Sequence, residues 1–165
     1  MTSLSVAVLL QASLLTAGGE DYANAHRALT ETGKPMLVMV GADWCPACVA
    51  MKQSVIPQLR KRKVFRKVAF AIVNFDRNRK LATELTDGGP IPQLVMYRKS
   101  AEGWKRQKLV GGQSVDTIES FLSEGVKQSE ADNKVRPASQ AKRPDDPKPP
   151  RSASARSAAA MPLAS

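Results

Sequence analysis

The sequence predicts an α/β domain with helices covering a central sheet. Three observations carry that prediction: two short and almost continuously apolar runs, MLVMV and VAFAIVNF, segments of helical periodicity alternating with them, and Gly or Pro breaks at the junctions. A chain of 165 residues has room for one such domain of roughly 100–150 residues plus tails.

The first periodic segment is Tyr22 to Thr32, YANAHRALTET, with Tyr22, Ala25, Ala28 and Leu29 at helical spacing before Gly33-Lys34-Pro35 stops it. Met36 to Val40 is short and wholly apolar, as expected of a strand buried on both faces. ACVAMKQSVIPQL then reads as a helix that Pro57 kinks or ends. Val68 to Phe75 is a second buried strand, and Arg77 to Leu85 a short helix followed by the breaker Gly88-Gly89. Leu94 to Arg98 and Lys105 to Val110 read as two strands across a polar turn. Ser114 to Val126 closes the domain as an amphipathic helix with Ser114 as its N-cap.

Both ends differ from this core. Leu4 to Leu15 is largely apolar and is followed by small residues, a pattern that resembles a secretory signal peptide, although no Lys or Arg precedes it. Residues 1–19 are assigned to that segment. The run falls short of the ~20 apolar residues a membrane span needs, which favours the signal peptide; an uncleaved anchor is the alternative reading. A periplasmic or secreted location is the expectation. Residues 127–165 are assigned to a disordered basic tail, because from Ala131 onward Pro, Ala, Ser, Lys and Arg leave almost nothing large and apolar to bury. The domain proper is placed at 20–126.

A net charge of +10 implies attraction to acidic surfaces but does not choose among them. In RKRKVFRK, Arg60 to Lys67, the interleaved Val64 and Phe65 are expected to face the core and leave the cations solvated. Only 5% of residues are aromatic, which disfavours nucleic acid as a partner. An acidic envelope surface, met through the basic tail, fits an exported protein better.

Chemistry concentrates in ADWCPACVAM, Ala42 to Met51, which holds both cysteines of the chain. A bridge between Cys45 and Cys48 closes too small a loop to stabilise much, so the pair reads as chemical rather than structural. Cys45 falls where a buried strand ends and a helix begins, and the free amides and dipole there favour a thiolate. It is the expected nucleophile. Cys48 lies one turn later, placed to attack a mixed disulfide formed through Cys45. Pro46 is tolerated because a first-turn residue has no intrahelical partner for its amide. Half a zinc site would look the same, but zinc needs two further ligands, and the chain offers only His26, read as a surface or packing residue in the first helix. No metal or cofactor is expected.

GKPMLVMVGADWCPAC, the strand ending VNFD at Asp76, the IPQLVMY segment and Gly111-Gly112, in that order, resemble the thioredoxin-like proteins, especially exported members with a helix before the active-site strand. The resemblance covers roughly Glu20 to Val126. It implies a thioredoxin-like fold, with a central mixed sheet covered by helices on both faces, and a protein-disulfide oxidoreductase. It also implies that Cys45 attacks, Cys48 resolves, Pro92 is a cis-proline facing them, and backbone around Ile91 pairs with an extended substrate. Trp44 would flank the site as an exposed apolar surface, and Gly111 would allow close backbone approach to substrate. Protein disulfides or dithiols would be the substrates, with an upstream redox partner.

The sequence departs from the family at several points. Where cytoplasmic thioredoxins carry a buried carboxylate and a lysine, this chain has Met39 and Ile72. Activation of Cys48 would then fall to water, to Asp43 or to the substrate complex. Asp43 is otherwise simply solvated. Pro46-Ala47 replaces the Gly-Pro of general reductants, and it lacks the histidine of strong oxidants, which favours reduction slightly. The rival reading from another class is a non-catalytic thioredoxin-fold binding or scaffold module, with a structural Cys45–Cys48 disulfide and a tethering tail.

Overall fold

The computed structural model describes residues 21–100 and 102–135. The signal-like segment 1–19 and the tail beyond 135 lie outside the described residues. Eleven-residue α1 (Tyr22–Thr32) begins at Asp21, whose carboxylate accepts from the amide of Ala23, and ends where the Gly33 amide donates to Leu29. It is followed by β1 (Met36–Gly41), α2 (Pro46–Ala50), a π-helical turn (Met51–Val55), α3 (Ile56–Lys61), a 3-10 turn (Val64–Lys67) and β2 (Ala69–Asn74). Then come α4 (Arg79–Thr86), β3 (Gln93–Ser100), β4 (Gly103–Val110) and α5 (Val115–Val135).

The four strands form one mixed sheet in the order β2-β1-β3-β4, with β1 parallel to β2 and antiparallel to β3, and β3 antiparallel to β4. Every residue of β1 is buried, because it is central and covered on both faces. Alternation along the strands sorts the apolar residues into two clusters. On one face Leu37, Met39, Leu94 and Met96 pack with Cys45 just ahead of α2 and with residues of α2, α3 and α5, including Cys48, Leu59, Ile118 and Leu122. On the other Met36, Val38, Val40, Val95 and Tyr97 pack with Tyr22, Ala25 and Leu29 of α1 and Leu81, Ala82 and Leu85 of α4.

One expectation is narrowed and two need correction. Pro57 does not end its helix, and Ile56 and Leu59 beyond the π-helical turn are buried. In that turn the Ile56 amide reaches back to Met51, and this longer pattern accommodates a residue that has no amide to donate. The second strand, expected to be buried, is an edge strand with Ala69, Ile72 and Asn74 only half-buried. The closing helix does not stop at Val126 but runs to Val135, so residues 127–135 of the expected tail are helical. Burial of Ser129 and ion pairs from Arg98 to Asp132 and from Lys67 to Glu130 hold this extension against the domain. Ser114 does cap α5, its hydroxyl accepting from the Thr117 amide at 3.1 Å.

Candidate functional site

Strand β1 ends at Gly41, and the chain turns through Ala42, Asp43 and Trp44 to place Cys45 as the N-cap of α2. Pro46 sits in the first helical turn, where its missing amide removes no intrahelical bond. The Cys45 and Cys48 sulfurs are joined as a disulfide with Cα atoms 5.2 Å apart. The Cys48 amide donates to the Cys45 sulfur at 3.2 Å, so a backbone dipole at the helix start meets the atom on which negative charge would develop.

The two sulfurs have different surroundings. Cys48 is fully buried in the cluster of Met39, Met51 and Leu94. It packs so closely on β1 that a side chain at Gly41 would come within 3.0 Å of its Cβ and 3.1 Å of its sulfur. Cys45 is 5% exposed, bordered by the exposed residues Trp44, Pro46 and Ala47. The Ile91–Pro92 peptide bond is cis. The Ile91 carbonyl lies 4.0 Å from the Cys45 sulfur, and Pro92 is buried beside it while Ile91 is partly exposed. Gly111, with φ of 86°, donates its amide to the Pro92 carbonyl at 2.8 Å. The loops before β3 and after β4 thus meet the helix start at one place.

Trp44 is 66% exposed, yet its indole nitrogen donates to Asp76 at 2.9 Å, so the ring is held in place with its apolar surface facing solvent. Asp43 does not stand free as a base. Its carboxylate pairs with Lys52 at 2.5 Å and accepts from the Asn74 side chain at 3.0 Å. The hydrogen bond from Lys52 is the main cause that holds this carboxyl below its ordinary value, which opposes proton uptake. Asn74 also accepts from the amides of Asp76 and Arg77, stitching the loop before Cys45 to the end of β2. His26 packs its ring near Tyr22 within α1.

Sequence reasoning missed Lys52, Asn74 and Gln93 as parts of this region. The signal for Asn74 and Gln93 was present: each is a polar residue set in an otherwise apolar run, VAFAIVNF or IPQLVMY.

Fold and site together define a domain of thioredoxin architecture with a Cys-x-x-Cys disulfide at a helix start. The chain belongs to the thioredoxin-like family, whose pattern matches residues 17–99. A thiol:disulfide interchange protein TxlA homolog of Synechocystis sp. is 33% identical over 101 residues, covering 58% of this chain and 49% of the relative. The chain therefore spans about half the length of that curated relative. Among solved structures, a thioredoxin from Thermus thermophilus superimposes with a TM-score of 0.54 at 20% identity, over 64% of this chain and 83% of that one. Plasmodium falciparum thioredoxin gives 0.50 at 17% identity over the same shares, 64% and 83%. These two likenesses concern the fold alone.

Proposed function

We propose that this chain is an exported thiol–disulfide oxidoreductase acting on protein disulfides. One observation carries the reading: a Cys45 sulfur at the start of a helix, met by the Cys48 amide and lying beside the Ile91 carbonyl, with Cys48 buried directly behind it. In the reductive direction the Cys45 thiolate attacks one sulfur of a substrate disulfide. A Cys45–substrate disulfide forms, and the other substrate sulfur leaves as thiolate. Cys48, deprotonated, then attacks the Cys45 sulfur, restoring the Cys45–Cys48 disulfide and releasing the second substrate thiolate. Two electrons pass from the dithiol to the substrate, and an upstream dithiol partner restores them.

Reduction is favoured over oxidation because Pro46 and Ala47 place no cationic side chain between the cysteines to stabilise an unusually acidic thiolate. Trp44, Ile91, Pro92 and Gly111 form the surface on which an extended substrate segment lies. Export is supported by the apolar run Leu4 to Leu15 and its small-residue flank, and the setting is disulfide repair among envelope or secreted proteins.

Equilibrium titration against glutathione, with alkylation and mass analysis, tests the reading. A pair that exchanges with a potential near −270 mV supports a reductant, and one near −120 mV reverses the direction of flow. Cys45→Ser should abolish turnover and Cys48→Ser should accumulate mixed disulfides. A Cys45→Ser protein that retains activity, or a pair that does not exchange at all, overturns it.

A further inference from the structure

Gln93 is the one side chain of the IPQLVMY segment that an apolar strand would not need. It is 1% exposed at the start of β3, between Val40 of β1 and Val110 of β4. Its side-chain nitrogen donates to the Pro90 carbonyl at 2.9 Å and, at a longer 3.4 Å, to the carbonyl of Thr86 at the end of α4. The side-chain oxygen is buried without a partner among the described residues. A methionine of similar length would fill the same space and leave no orphaned oxygen, a group that is costly to bury without a partner. Packing alone therefore does not explain a glutamine here.

The amide's distinctive effect falls on the segment in front of it. Residues 87–92 reverse direction through Asp87 and Gly88, both at positive φ, and finish at the cis Ile91–Pro92 bond. Of three successive carbonyls, Pro90 is held by Gln93 and Pro92 by the Gly111 amide. The carbonyl between them, that of Ile91, is the one left facing the Cys45 sulfur, at 4.0 Å. Gly89 is shaped to the same tie. A side chain there would fall 2.8 Å from the Gln93 nitrogen and 3.1 Å from the Thr86 carbonyl.

From this arrangement we infer that Gln93 is a positioning residue for substrate docking: its buried amide fixes the Pro90–Pro92 backbone so that Ile91 presents its free peptide groups to an extended segment of the substrate beside Cys45. The inference rests on the proposed exchange activity and deepens it. A protein substrate needs this backbone in register, whereas a small disulfide needs only access to the Cys45 sulfur. Loss of the tie should therefore weaken binding of the first without slowing reaction with the second.

The test compares full-length wild type with Gln93→Met and Gly89→Ala, the second of which displaces the Gln93 amide from the other side. Steady-state reduction of insulin, reaction of the reduced protein with a small aromatic disulfide, and amide exchange at Gly89 and Gly111 are measured. For both variants KM for insulin should rise about tenfold with kcat held within about twofold, the signature of lost binding rather than lost chemistry. The small disulfide should react within about twofold of wild type, and the two amides should exchange about tenfold faster. Insulin and small-disulfide rates that fall together, or an unchanged KM, would overturn the inference. Should wild type reduce neither compound, the proposed activity fails, and unchanged exchange at both glycines would then sink the positioning role separately. If Gln93→Met does not fold, the same readouts on Gly89→Ala decide the matter.

Discussion

The surroundings of Cys48 and those of Cys45 are built from opposite materials. Behind Cys48, Ile72, Met39 and Leu94 lie side by side across β2, β1 and β3, an apolar row with no ionisable group in it. In front of Cys45, Lys52, Asp43, Asn74, Asp76 and Trp44 form a chain of polar contacts in or near solvent. The apolar row supplies rigidity, because a close-packed interior resists displacement. The polar collar supplies orientation but little energy, since exposed pairs are screened. Among the described residues, the hydrogen-bond donor that meets the Cys45 sulfur is thus a backbone one, the Cys48 amide.

The comparison breaks most severely if a carboxyl is placed in the apolar row. Met39→Asp buries an acid with no partner, and desolvation then raises its folded-state value above the ~3.9 of an unfolded chain. The sign follows: as pH rises past about 4 the unfolded chain releases a proton that the folded one keeps, so stability falls until the folded group itself ionises. The expected loss at neutral pH is about 3 kcal/mol, and it should be smaller at pH 4. Urea denaturation at the two pH values measures it. Met39→Leu, which keeps the row apolar, should cost less than about 1.5 kcal/mol. Equal losses for both variants would mean that shape, and not charge, governs this side.

The collar should respond more mildly. Asn74→Ala removes the bond to Asp43 and both acceptor bonds from the Asp76 and Arg77 amides, and the loss should be about 1 kcal/mol because water can reach the groups left behind at this half-buried edge position. Its clearer signature is local. Trp44 should gain mobility, seen as lower fluorescence anisotropy, while the denaturation midpoint shifts little. A loss as large as that of Met39→Asp would make the collar structural and erase the contrast.

How much of this was legible in sequence follows from the same contrast. The apolar side was readable because burial writes itself as runs: MLVMV announces a strand covered on both faces, and β1 is buried throughout. Cys45 and Cys48 were readable because helix starts have a local signature. The collar was not, because Lys52 and Asn74 join Asp43 across separations that no periodicity records. Asp43 could be weighed only as solvated or as a base, and the structure adds that it is an acceptor already occupied by two donors. The extension of α5 escaped for a related reason: it is held by tertiary partners, such as Arg98 paired with Asp132, and not by local propensity.

The smallest expected effect concerns the outer tie of the loop that Gln93 holds from within. Asp87 accepts from Arg106 at 2.8 Å and from Lys108 at 3.0 Å, joining the end of α4 to β4. The hydrogen bond from Arg106, followed by that from Lys108, lowers its carboxyl from the ordinary 3.8 to about 2. A depressed folded value contributes stability that is present above the unfolded value and is lost as pH falls through the folded one, here between about 4 and 2. Asp87→Asn isolates this term, because asparagine tolerates the left-handed backbone at φ of 53° while removing the charge. The carboxylate is exposed, so the difference between wild type and variant should be under about 1 kcal/mol at neutral pH and should shrink with added salt. Thermal unfolding of both proteins from pH 6 to pH 2 should give curves that converge toward the acid end. Curves that stay parallel would assign the tie to geometry rather than charge, and would leave Gln93 and Asp87 holding the loop by the same means.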